Sequence, residues 1–271
     1  MKHINPGAAV VLLLSLTIPV FSHDYWFKPE SFFARVGDSF QVHLFVGDEY
    51  KIEEERVLQK ERTVSFQMFA TQGPPIDLVA QGEDNQSPVA QINFKTAGNH
   101  LIAMERKAST IKLDAKKFTE YLTEEGLDSI VKLREQANES SKDGRERYRR
   151  YLKALFQVGD RRDNVYKMVL GQRLEIVPLS NPYGLKRGET LRLRILFEGK
   201  PLVNAKVFAY NQSGSEVHEQ VEWSASDGTV SFKLDGSGEW LIRLVYMQRC
   251  AADCAEIDWE SFWGAYSVGM K

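Results

Sequence analysis

The chain has 271 residues, enough for one large domain or two ordinary ones, and its 43% hydrophobic and 27% charged residues predict a packed globular protein. Lys plus Arg number 35 against 37 for Asp plus Glu, a net charge of −2 that gives no basic footprint for nucleic acid and no strong pull toward anionic membranes. No P-loop, G-x-G-x-x-G, G-x-S-x-G or H-E-x-x-H occurs, so these motifs name no reaction and a non-enzymatic role is expected.

The N-terminus reads as an export signal. Lys2 precedes Ala8 to Val20, an uncharged apolar run of 13 residues, too short to span a bilayer. Val20 and Ser22 stand at the −3 and −1 positions of a cleavage site. The expectation is a signal peptide over 1–22 and a periplasmic or secreted product beginning at His23. A first-residue His offers an α-amine and an imidazole together. These titrate near pH 8 and at about 6.5 in model peptides, so the pair can chelate a transition metal around neutrality. The plain alternative is a cleavage that happens to precede a His. A copper mono-oxygenase with a histidine brace would need an exposed flat site, for which the sequence offers no sign.

Residues 23–113 read as a small antiparallel sandwich. Phe40, Val42, Leu44 and Val46 alternate with Ser39, Gln41, His43 and Phe45. Val64 to Ala70, Val89 to Phe94 and His100 to Glu105 look like further strands, separated by Gly- and Pro-marked turns. Residues 114–171 read as a charged helical connector with Asp114 as an N-cap. One helix carries Phe118, Tyr121, Leu122, Leu127, Ile130 and Val131. After a break at Ser140 to Gly144, a second is expected over Tyr148, Tyr151, Leu152, Leu155 and Phe156, at i, i+3, i+4, i+7, i+8. Arg145, Arg147, Arg149 and Arg150 crowd its start. They read as an anion site or as a solvated face balanced by Glu120, Glu124, Glu125 and Glu146.

Residues 172–271 read as an immunoglobulin-like sandwich. Leu191, Leu193, Ile195 and Phe197 alternate, as do Val203, Ala205, Val207 and Ala209, then Val230, Phe232 and Leu234, then Trp240, Ile242 and Leu244. The fold class is therefore mostly β: two immunoglobulin-like antiparallel sandwiches joined by a two-helix segment. Cys250 and Cys254 are the only cysteines, and C-x₃-C in an exported chain predicts a disulfide, with a thiolate metal site as the alternative. Trp26, Trp223, Trp240, Trp259 and Trp263 fill a core or form a carbohydrate platform. Asp258 and Glu260 flank Trp259, with no identifiable catalytic partner.

Several stretches carry a family resemblance. They are His23-Asp-Tyr-Trp-Phe-Lys-Pro29, Val42-His-Leu-Phe-Val-Gly47, Phe118-Thr-Glu-Tyr-Leu-Thr-Glu-Glu-Gly126 and Gly144-Arg-Glu-Arg-Tyr-Arg-Arg-Tyr-Leu-Lys153, followed by Leu174 to Tyr183, Leu196 to Leu202 and Gly238 to Val245. In order and over nearly the whole expected mature chain, they resemble the DUF4198 family of exported bacterial proteins, also labelled nickel-uptake periplasmic components. The resemblance implies a periplasmic accessory protein that binds nickel, cobalt or copper through His23. Its partner would be a metal transporter or an outer-membrane receptor component, and no transmembrane segment is expected in the mature chain. His43, opposite the core face of its strand, and His100, at a strand start, are the candidate second and third ligands. His218 sits in a polar loop and reads as surface. Tyr246 stands where relatives carry a His, which removes a ligand or substitutes a phenol oxygen. The competing function is a non-catalytic module binding a carbohydrate or a protein partner at the cell envelope.

Overall fold

A computed structural model describes residues 23–271. The expected signal segment, 1–22, lies outside the described residues. In chain order the first half contributes β1 (Asp24–Pro29), β2 (Phe33–Ala34), β3 (Ser39–Asp48), β4 (Lys51–Arg56), β5 (Thr63–Ala70), β6 (Ile76–Asp77), the short α1 (Leu78–Gln81), β7 (Ala90–Asn93), β8 (Gly98–Arg106) and β9 (Ser109–Leu113). Helices α2 (Ala115–Glu124) and α3 (Asp128–Gln136) follow, then β10 (Gly144–Val158). The remainder is β11 (Leu174–Pro178), β12 (Thr190–Phe197), β13 (Lys200–Pro201), β14 (Lys206–Ser213), β15 (Glu216–Trp223), β16 (Thr229–Lys233), β17 (Gly238–Arg249) and β18 (Trp259–Met270).

The protein is mostly β, as expected, and its layers are arranged around one sheet. That sheet runs β15-β14-β17-β18-β10-β8-β5-β6, with β2 and β9 also on β10. It therefore crosses the boundaries expected at 113 and 172. A four-stranded sheet of β1, β3, β4 and β7 covers one face, and another of β11, β12, β13 and β16 covers the other. Side-chain alternation sorts the two cores. From β10, Leu152, Ala154 and Phe156 join Trp26, Phe27, Val42 and Leu44 on one side. Tyr151 and Leu155 join Leu191, Leu193, Ile195, Trp240, Ile242 and Leu244 on the other.

This double burial explains why one strand reads as a helix in the sequence. The helix expected over Tyr148 to Phe156 is strand β10, and the helices of this segment, α2 and α3, both precede the Ser140 to Gly144 break. A strand covered on both faces loses its polar-apolar alternation, so its apolar positions mimicked a helical spacing. Pairing settles the matter: β10 lies parallel to β18 from Glu146↔Trp259 to Leu155↔Val268. On its other edge it takes β9 and then β8. The polar stretch holding His218 is likewise strand β15, exposed at the edge of the large sheet.

Asp114 caps α2, its side chain accepting from the Lys117 N–H at 3.0 Å. The helices lay Phe118, Tyr121, Leu122 and Ile130 over Val245, Met247, Trp259 and Trp263. Gly144 begins β10 against the Phe118 ring, where a Cβ would collide. Trp26, Trp240, Trp259 and Trp263 are all buried and only Trp223 is exposed, so the tryptophans build cores rather than a platform. Arg145 and Arg147 pair with Asp258 and Glu260 at 2.6 and 2.7 Å, the cross-strand role those carboxylates serve. The expected balance by Glu120, Glu124, Glu125 and Glu146 is not the one formed.

Cys250 and Cys254 are disulfide-bonded in the turn between β17 and β18. So short a loop removes little unfolded-chain entropy. The double Cys→Ala variant is expected to lose no more than about 2 kcal/mol in urea denaturation, and the native protein to show no titratable thiol. Glu146 is fully buried, receiving hydrogen bonds from Ser261 and from the Tyr121 hydroxyl. Burial pushes its carboxyl from 4.5 up to about 7. The folded state thus holds a proton that the unfolded chain releases earlier. The associated stability is complete below pH 4.5 and is lost as pH rises to about 7. Glu146→Gln should flatten that slope and stabilise the protein at pH 8 by up to about 3 kcal/mol, at about 1.4 kcal/mol per pKa unit.

Candidate functional site

β1 and β3 pair antiparallel, from Asp24↔Gly47 to Pro29↔Val42. Alternation along β1 buries Asp24 and Trp26 and leaves Tyr25 half-buried, and the strand's start delivers His23 to the mouth of a cleft. The cleft measures about 460 Å³ and lies between the β3–β4 hairpin, the C-terminal end of α2, and strands β14, β15 and β17. Asp48, Glu49, Glu124, Glu125 and Glu219 line it, against Lys206 and Arg243, so its field is acidic.

Arg243 forms the floor. It pairs with Glu125 and lies 3.1 Å from Asp24 Oδ2, while its guanidinium stacks 3.8 Å from the Phe208 ring centroid. Two buried carboxylates share this one cation. Burial, partly offset by Arg243, pushes the Glu125 carboxyl up to about 7, and burial also raises Asp24. His23 itself is held at two points. Its carbonyl accepts from Arg150 Nη2 at 3.2 Å, and its imidazole Nδ1 lies 3.4 Å from Glu53 Oε2. The latter contact is within ion-pair reach but not aligned as a hydrogen bond. Nδ1 is thus shut off from solvent without a hydrogen-bond partner.

The three histidines expected to converge do not. His43 stands opposite Lys28, five residues along β1 from His23, or about 16 Å at the usual strand rise. Its Nδ1 is bonded to Glu55 at 2.6 Å, and its ring stacks on Phe45. That bond, with one from Ser87, holds the Glu55 carboxyl below its usual range. His100 is in the large sheet, 2% exposed, edge-on to Phe94, with contacts of 3.4 Å to Thr96 Oγ1 and the Gly98 carbonyl. Burial lowers its pKa and keeps the ring neutral. It is a core histidine. Both corrections come from strand pairing: register sets His43 five residues along the shared sheet from His23, and β8, which carries His100, belongs to a different sheet. Tyr246 packs between Phe197 and Phe262 on the far face of the large sheet, so it neither supplies nor removes a ligand at the cleft. His218 is exposed, as expected.

Among the described residues no three His, Cys, Asp or Glu side chains converge as a metal site. His23 fits a metal only together with its own α-amine, since a first-residue His then supplies two nitrogens and Glu53 an oxygen. Sequence reasoning missed Glu53 and the cleft acids. Their signal was the acidic hairpin from Asp48 to Glu55, whose placement beside His23 depends on the β3–β4 pairing.

No helix among the described residues is long and apolar enough to cross a membrane. No curated protein is significantly similar to the chain. Similar solved structures include the D0-D1 domain of intimin, at 10% identity and a TM-score of 0.21, covering 90% of this chain and 97% of that one. Dimeric latent PorU from Porphyromonas gingivalis gives 10% identity and 0.19, covering 88% of this chain and 19% of that one. Salmonella alpha-2-macroglobulin reacted with methylamine gives 7% identity and 0.20, covering 89% and 14%. At those scores the likenesses carry no argument, and the fold stands on its own sheets. The sequence profile of DUF4198, a domain of unknown function, matches residues 20–248. That match spans most of the molecule and includes β1, the three α-helices and the large sheet through most of β17, and the chain belongs to the DUF4198 family.

Proposed function

We propose that the protein is an exported, non-catalytic accessory protein that takes up a divalent transition metal at His23. The observation that carries this reading is the imidazole Nδ1 of His23, closed to solvent, without a hydrogen-bond partner, and 3.4 Å from Glu53 Oε2 at the mouth of an acidic cleft. Once residues 1–22 are removed, the α-amine lies on the same residue and closes a chelate with Nδ1. Two nitrogens and a carboxylate oxygen suit nickel, cobalt and copper. The cleft carboxylates raise the local cation concentration, and Arg243 and Lys206 prevent the cleft from becoming a purely anionic sink. A metal transporter or outer-membrane receptor component is the proposed recipient.

The reading requires the amine, which gives it a sharp test. Calorimetric titration of protein beginning at His23 should show one site, tightest for Cu(II) in the Irving–Williams order. One extra residue before His23 should weaken binding about as much as His23→Ala, by at least about tenfold, because it converts the amine to an amide. Glu53→Gln should weaken it less, and His43→Ala and His100→Ala not at all. Acidification should release the metal, since protons compete for both nitrogens. Unchanged affinity in the extended form and in His23→Ala would remove the metal reading. The second reading, a module binding a carbohydrate or protein at the envelope, would then stand, supported by Val221 and Trp223 exposed at the β15 sheet edge.

A further inference from the structure

Around Tyr25 of β1 lies a pocket of opposite character to the cleft. It measures about 240 Å³, room for about eight waters at their share of liquid volume. Arg56, Arg62, Arg106, Lys107 and Arg150 converge on it around the Tyr25 ring, and no carboxylate lines it among the described residues. Three guanidiniums surround that ring, Arg150 at 4.1 Å, Arg106 at 5.7 Å and Arg56 at 5.9 Å from its centroid.

Some of these cations have local partners. Arg56 bonds the Tyr25 hydroxyl and pairs with Glu54, Arg62 bonds Ser109, and Arg106 Nη2 donates to Gln59 at 2.7 Å. The two deepest keep unused donors. Arg106 and Arg150 are each 8% exposed, yet Arg106 Nη1 and Arg150 Nε are buried without any hydrogen-bond partner. Burial, and then repulsion from Arg150, Arg62 and Arg56, depresses the Arg106 pKa. Asp24 and Glu146 feel Arg150 through space, but neither faces this pocket. Like charges gathered in one concavity with buried donors unmet are costly unless something negative completes them.

We infer that this pocket binds a small oxyanion carrying at least two negative charges, a polycarboxylate or a phosphate compound. Planar guanidinium forks match the oxygens of either group, and five cations match more than one negative charge. The ring of Tyr25 holds the forks in place. The inference is independent of the metal reading, because Arg150 touches His23 only through the backbone carbonyl.

The test is calorimetric titration of the mature protein with citrate and with inorganic phosphate in dilute buffer, against sodium chloride at matched ionic strength. Saturable one-to-one binding of citrate or phosphate, absent with chloride, is the expected result. Citrate alone identifies a polycarboxylate, and phosphate alone a phosphate compound. Arg106→Gln should weaken binding about 10- to 100-fold, the range for one charge-assisted hydrogen bond, without lowering the melting temperature of the anion-free protein, since it relieves repulsion. Arg62→Gln, at the rim, should weaken binding too and serves if Arg106→Gln fails to fold. Arg187→Gln, remote from the pocket, and His23→Ala should bind as the parent does. Equal heats with chloride, or full affinity in both Arg106→Gln and Arg62→Gln, would overturn the assignment.

Discussion

The parallel pairing of β10 with β18 is the contact on which the remainder depends. It joins a strand from the middle of the chain to the last strand over ten register positions, and so fuses the sheets of both halves. With that seam closed, the large sheet has two faces to cover, and each half of the chain supplies a four-stranded cover. Each strand of the seam must then be apolar in both directions. Leu152 and Phe156 serve one core and Tyr151 and Leu155 the other. The parallel connection needs a long crossover, and the segment from Val158 to Trp259 provides it by building an entire outer sheet.

A sheet whose central strands are covered on both faces must also neutralise whatever polar groups it encloses. Lys153 of β10 meets Glu175 of β11 at 2.6 Å with both essentially unexposed, and Glu175 also accepts from the Leu170 and Gly171 amides. That group ties the large sheet to its outer cover, and removal of one member would leave the other as a bare buried charge. Arg243 plays the corresponding part on the opposite face, between Asp24 of β1 and Glu125 at the end of α2. Glu146 has no cation in direct contact, and burial holds its carboxyl toward the protonated form. The three cases show the same constraint answered by a pair, by a shared cation and by a proton.

The N-terminal strand is where these constraints meet function. β1 anchors itself with Trp26 and Phe27, both fully buried, and thereby fixes the residues just before them. His23 consequently lines an acidic cleft, and Tyr25, two residues further on, lines a basic pocket. Arg150 links the two, donating to the His23 carbonyl while stacking on Tyr25. Two neighbouring sites of opposite sign suit the proposed handling of a cation and an anion by one short stretch of chain.

Local pattern carried the sequence reading far where one face of an element is wet or one turn is tight. The alternations of β3, β12 and β16, the Asp114 cap, the C-x₃-C bridge and the tryptophan cores follow from period-two burial, capping chemistry and loop length, which adjacent residues encode. The chelate proposed for His23 likewise rests on a single residue, whose imidazole and α-amine would act together. What tertiary structure alone decided is whatever joins distant segments. β10 looked helical because burial on both faces erases the signal that separates strand from helix. His43 and His100 resembled partners for His23 because a sequence states neither the register of a strand pair nor which sheet a strand joins. The carboxylates beside His23 come from the β3–β4 hairpin, the end of α2 and β15, and the guanidiniums around the Tyr25 ring from the three strands β4, β8 and β10. Those groupings are consequences of strand pairing across more than a hundred residues, and no local periodicity records a pairing of that range.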